Sequence, residues 1–145
     1  KDEVGTKNFE RIAGIPIAGI PFASTVAYTL QKPFLYVRKG VRLHGRQRRI
    51  EGILAPGDRI LIIDDLVTTG LSLRKSARAI TAEGGVVTDA VVFLDREEGG
   101  KKRLEKSGIE LHSLINISEI ASTLDEIGTI DEEQLKTILK QIKKR

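Results

Sequence analysis

The sequence predicts an α/β fold, a central parallel sheet flanked by helices, on three observations. Apolar runs of strand length alternate with segments of helical periodicity along the 145 residues, the order that crossovers between parallel strands require. Leu61, Ile62 and Ile63 are apolar without a polar alternate, as in a strand covered on both faces. Strand, glycine-containing turn and helix succeed one another in RIAGIPIAGIPFA at 11 to 23 and in LIIDDLVTTGLS at 61 to 72. The length is that of one domain, 1–145, with a core over about 10–125 and a last helix over about 131–143. Such a chain can bury ~70% of its unfolded surface.

The first strand is expected near 10 to 15 and the first helix near 20 to 30, with Pro21 suited to a first helical turn. Strands follow near 34 to 38 and 59 to 64. The helix near 71 to 83 carries Leu73, Ala77 and Ile80 on one face, and Gly84 and Gly85 stop it. A strand near 86 to 94, a helix near 100 to 107, a strand near 109 to 115 and a helix near 118 to 125 complete the alternation. His112 falls in a strand and is expected to satisfy a local hydrogen bond. In the last helix Leu135, Ile138, Leu139 and Ile142 form a stripe read as core packing, and its acidic start and basic end suit the macrodipole.

Several function classes are excluded. The chain has no cysteine, hence no disulfide, cysteine metal site or thiol catalysis. No apolar stretch approaches ~20 residues, and KDEVGTKNFE at the N-terminus is no signal peptide, so a soluble cytoplasmic protein without membrane contact is expected. GxxxxGK[ST] and GxGxxG strings are absent.

Chemistry concentrates in LIIDDLVTTGLS. Asp64 and Asp65 fall at the carboxyl end of a buried strand, where open α/β sheets place ligands, and are expected to look outward. Thr68, Thr69, Gly70, Leu71 and Ser72 then offer backbone N–H groups and hydroxyls to an anion on the dipole of the next helix. Hydroxyl and phosphate recognition side by side imply a ligand with a cis-diol next to a phosphate. Residues 38 to 49 hold six Lys/Arg and no acid, against a whole-chain formal charge of +4, so the remaining chain is net negative. That segment can meet a multiply charged anion. A solvated loop and nucleic-acid binding are the alternatives, the latter disfavoured because the segment has no aromatic for base stacking.

These residues resemble the signature of type I phosphoribosyltransferases, which take 5-phosphoribosyl 1-diphosphate (PRPP) with magnesium. The resemblance implies the type I phosphoribosyltransferase fold, with Asp64 and Asp65 on the ribose hydroxyls, Thr68, Thr69, Gly70, Leu71 and Ser72 around the 5′-phosphate, and Leu66 and Val67 among the PRPP-binding residues. RKGVRLHG at 38 to 45 resembles the mobile catalytic loop of orotate phosphoribosyltransferases, with Arg42 where lysine is usual. Arg38, Lys39, Arg42 and His44 are thereby implied to stabilise departing pyrophosphate, with Lys39, Arg42, His44 and Asp65 as catalytic residues. VVFLDREEGG at 91 to 100 looks like the segment that brings an arginine, here Arg96, to orotate, and Thr68 matches another orotate contact. On residues alone, Arg96 among Asp95, Glu97 and Glu98 also fits an exposed salt-bridged turn. Ile17, Ala18 and Gly19 match the pyrophosphate-binding turn, Ala18 standing where some members carry lysine.

The resemblance covers roughly residues 10 to 125 and implies formation of orotidine 5′-monophosphate from orotate and PRPP. It also implies Mg²⁺ held through PRPP without direct protein ligands, and a homodimer in which the 38–49 loop closes over the neighbour's site. The family's N-terminal hood segment is not found in this chain. From SGIELHSLINISEI at 107 to 120 onward the sequence is similar to the end of the phosphoribosyltransferase domain of bifunctional uridine monophosphate synthases. A chain starting at Lys1 with no methionine fits a fragment, a processed product or one domain of a larger polypeptide. Two other functions stay open: phosphoribosyl transfer to another base, and a non-catalytic PRPP sensor whose basic loop meets nucleic acid.

Overall fold

The structure, a computed structural model, describes residues 9–38 and 49–143. Six strands form one sheet in the order β3-β2-β1-β4-β5-β6. They are β1 (Arg11–Gly14), β2 (Phe34–Val37), β3 (Ile50–Glu51), β4 (Arg59–Val67), β5 (Val86–Asp95) and β6 (Glu110–Asn116), with helices α1 (Gly19–Thr29), α2 (Leu71–Ala82), α3 (Gly100–Glu105), α4 (Ile117–Glu126) and α5 (Glu132–Lys143). The expected helices and main strands are present, with ends shifted by at most three residues.

Two differences concern the sheet. It is not wholly parallel, because β3, absent from the sequence expectation, runs antiparallel to β2 with Tyr36 opposite Glu51 and Val37 opposite Ile50. A two-residue strand beside a basic run has no periodicity to reveal it. β4 continues past Asp64 to Val67, because Asp64, Leu66 and Val67 pair with Val92, Leu94 and Asp95 of β5. Pairing overrides the poor strand propensity of aspartate.

Alternation along β4 sends its apolar residues to both faces. Leu61 and Ile63 join Ile12, Ala23 and Ala27 beneath α1. Ile60 and Ile62 join Leu73, Ile80, Val92, Leu104 and Leu111 beneath α2 and α3. Ile12, Ile62 and Ile80 are fully buried, each contributing about 1.5–3 kcal/mol of transfer free energy. α2 ends as expected: Gly84 N–H donates to Thr81 O and Gly85 N–H to Ile80 O, both at 3.0 Å, the paired bonds of a Schellman stop.

The stripe on α5 is not core. Leu135, Ile138, Leu139 and Ile142 are all only partly buried, since α5 packs mainly on α4. Periodicity reports which face is covered, not how deeply. His112 hydrogen-bonds across strands to Asp89, at 2.9 Å, and not locally. Among the described residues no helix is long and apolar enough to cross a membrane.

Candidate active site

The chain leaves β1 toward β2 on one side and leaves β4 toward β5 on the other, so the gap between β1 and β4 is the switch point of the sheet. Ligands of open α/β sheets bind at that position, beyond the carboxyl ends of the strands. A cleft of about 320 Å³ opens there, lined by Ile15, Pro16, Ile17 and Ala18 of the β1–α1 turn and by Asp64 through Leu73. The β1–α1 turn, whose Pro16–Ile17 peptide is cis, and the β4–α2 loop thus face one space.

Asp64 is buried, 8% exposed, and its Oδ1 accepts the Asp65 N–H at 3.0 Å. Asp65 is half-buried. The expectation that both acids look outward is therefore corrected for Asp64, because the extra length of β4 sets it below the strand end. Gly19 seats α1 against this acid: a Cβ there would stand 2.7 Å from Asp64 Oδ1 and 2.9 Å from the Ile63 carbonyl. Gly19 is buried and lies behind the Ile17–Ala18 wall, not in the lining.

Gly70 precedes α2 in the left-handed region, φ +73°, which glycine adopts without steric cost. No side chain caps α2 and no acid occupies its first turn. Its first N–H groups, which have no intrahelical acceptor, are left for a ligand at the positive end of the helix dipole. Thr69 and Ser72 are exposed and Thr68 half-buried.

Arg96 is tied to this loop through its backbone, N–H to Val67 O at 3.0 Å. Its half-exposed guanidinium reaches Glu98 Oε1 at 3.0 Å and does not line the cleft. Asp95 Oδ1 accepts the Glu97 N–H at 2.7 Å, and burial pushes the Asp95 carboxyl above the usual carboxylate range. Glu97 Oε2 in turn accepts the Ser118 N–H, at 2.9 Å, at the start of α4.

Arg38 does not line the cleft either. Its N–H donates to Arg49 O at 2.8 Å, and its guanidinium pairs with Glu51 of β3. Lys39, Arg42 and His44 lie outside the described residues. Sequence reasoning missed Ile15, Pro16 and Leu73 in the lining; Pro16, just before the turn already singled out, was the available signal.

The perturbed groups at the other end of the sheet are structural. Arg59 holds the Glu10 carboxyl down to about 2, through its side chain first and its backbone N–H second. Arg11 holds Asp58 below its ordinary range. Among the described residues the cleft contains two carboxylates, Asp64 and Asp65. Such a donor set suits a Mg²⁺ that keeps several waters and arrives with a phosphate ligand, rather than a metal caged by protein.

The phosphoribosyl transferase domain family matches residues 3–126 of this chain. The chain belongs to the phosphoribosyltransferase family. It is 41% identical over 136 residues to an orotate phosphoribosyltransferase of Cenarchaeum symbiosum, covering 94% of this chain and 68% of that protein. The fold superposes on orotate phosphoribosyltransferase from Aeropyrum pernix with a TM-score of 0.76 and 32% identity, over 90% of this chain and 73% of the other. Against UMP synthase of Leishmania donovani the TM-score is 0.83 at 29% identity, over 94% of this chain but only 30% of that one. The chain thus spans about two thirds of the single-activity relatives and under a third of the synthase. The matched span contains every described residue of the cleft.

Proposed function

We propose that this chain transfers the phosphoribosyl group of PRPP to orotate, giving orotidine 5′-monophosphate and pyrophosphate in pyrimidine nucleotide synthesis. The observation that carries the reading is the juxtaposition, in one cleft, of Asp64 and Asp65 with the uncapped N-terminus of α2. The carboxylates accept the ribose hydroxyls, and Thr68 to Ser72 donate to the 5′-phosphate. Ile17 and Ala18 border the pyrophosphate, with Gly19 behind them.

In the reaction the C1′–O bond breaks with its electron pair leaving on pyrophosphate, and orotate N1, losing its proton, forms the new C1′–N1 bond. The protein's part is positioning and electrostatics. Lys39, Arg42 and His44 would meet the charge that develops on pyrophosphate. Magnesium, bound through PRPP, would neutralise part of that charge while Asp64 and Asp65 order its waters. Arg96 would release Glu98 to pair with the orotate carboxylate, and Thr68 would contact the same ring. A homodimer sharing the 38–49 loops and a cytoplasmic location complete the proposal.

The test follows orotate absorbance with PRPP and magnesium, with adenine, hypoxanthine and uracil in parallel. Orotate-only turnover is the expected result. Turnover of another base overturns the substrate assignment, and PRPP binding without any turnover favours a sensor. Arg42→Ala should abolish most turnover without changing the unfolding midpoint.

A further inference from the structure

A second group of ligating side chains lies near the other end of the sheet. Asp89 of β5 is directly opposite Glu110 of β6, and His112 follows two residues along β6. In strands, that spacing puts all three on one face, the face that carries Val91 in the cluster beneath α1. One donor atom from each of Asp89, Glu110 and His112 lies within 4.8 Å of the other two. For comparison, ligand atoms on a tetrahedral zinc with ~2.1 Å bonds stand about 3.4 Å apart. His112 Nε2 and Asp89 Oδ1 are 2.9 Å apart, and the exposed Glu110 is free to rotate toward them.

We propose that Asp89, Glu110 and His112 form a binding site for a divalent transition ion of the zinc type, separate from the magnesium expected with PRPP. Asp89 is already oriented, because Thr88 Oγ1 donates to its other oxygen, Oδ2, at 2.7 Å; such outer partners fix the ligating carboxylate. β6 is the terminal strand, so the site opens at a sheet edge. A cavity of about 370 Å³ lies beside it, lined by Lys101, Glu110, Leu111, His112 and Ser113. Two carboxylates neutralise a divalent ion, and an imidazole selects zinc-like ions over magnesium or calcium. Lys101 is the opposing charge on the rim, and its exposed, flexible stem lets the ammonium turn to solvent. Bound metal would tie the edge strand to β5.

The test is titration of the full chain with Zn²⁺ alone in excess Mg²⁺, read by calorimetry, with hydrogen exchange of the β6 amides as a second readout. One Zn²⁺ per chain is expected, lost in both His112→Ala and Glu110→Gln, weakened ~10-fold by Thr88→Val and strengthened by Lys101→Gln. His44→Ala, which removes the other histidine of the two, should leave binding intact. Zinc should slow β6 exchange in the wild type and not in Glu110→Gln, whose exposed position protects folding. Absence of saturable binding, or its retention in either His112→Ala or Glu110→Gln, overturns the site.

Discussion

The β4–α2 and β5–α3 loops begin alike and end in opposite chemistry. Each follows a strand of the same sheet and enters its helix through a left-handed glycine, Gly70 at φ +73° and Gly99 at φ +83°. The β5–α3 loop fills itself with its own acids. Asp95 takes the Glu97 N–H, Glu97 takes the start of α4, and Glu98 takes Arg96. The β4–α2 loop has hydroxyls and glycine where the other has carboxylates, so its donors open on a cleft. Both helices begin without a side-chain cap, but an acid of the β5–α3 loop holds one of that loop's own amides, Glu97 N–H, and its remaining acids are bound to neighbours, whereas the β4–α2 turn opens its donors on the cleft.

Placing an acid in the open loop is the strongest way to break this contrast. Ser72→Glu sets a carboxylate in the first turn of α2. Losing two charge-assisted bonds to phosphate, at about 1.5–3 kcal/mol each, corresponds to a fall in PRPP affinity of ~100-fold or more. The same carboxylate complements the helix dipole by about 0.3–1 kcal/mol, so the unfolding midpoint should rise slightly. Affinity and stability moving in opposite directions identify a ligand site; a joint fall would mean the loop had simply been disrupted. Asp65→Asn, by the same logic, should lower turnover about 100-fold while stability moves within about 0.5 kcal/mol.

The two loops also touch. A Cβ on Gly100, in the first turn of α3, would stand 2.6 Å from the Thr68 carbonyl and 2.7 Å from Val67 Cγ2. Gly100→Ala should therefore destabilise the chain by about 1–3 kcal/mol, as overpacking does, and weaken PRPP binding through a displaced Thr68. Denaturant unfolding and a binding isotherm on one preparation check both, and an unchanged midpoint would show that the loops move independently.

Much of this was legible because the residues that shape it are local. The Leu61–Ile63 run, the adjacent acids and the Thr/Gly/Ser turn announce strand, rim and anion loop in twelve consecutive positions. What escaped depends on distant partners. Asp64 is buried because Gly19 and β5 come up against it, and no local pattern reports that approach. Arg96 sits beside the loop through a backbone bond to Val67, but its pairing with Glu98 is one of several equivalent choices among neighbouring acids. The half-covered stripe of α5 has a core residue's periodicity and a surface residue's neighbours.

The smallest effects separate the closed loop from the structural pairs by the sign of their pH dependence. Burial raises the Asp95 carboxyl above its ordinary 3.8, so as pH rises past 3.8 the unfolded chain ionises first and folding loses stability until the folded group has also ionised. Asp95→Asn keeps an acceptor for the Glu97 N–H and has no ionisation, so its stability relative to wild type should grow as pH rises above 3.8 and then level off. Glu10 behaves in reverse. Arg59 lowers it from 4.5 to about 2, so its contribution is complete above 4.5 and fades as pH falls toward 2. Glu10→Gln should flatten that acid limb alone, with an amplitude limited by solvent exposure. Urea unfolding of the three proteins across this range measures both slopes. Parallel wild-type and Asp95→Asn curves would mean that Asp95 is solvated in solution and that no buried acid closes the β5–α3 loop.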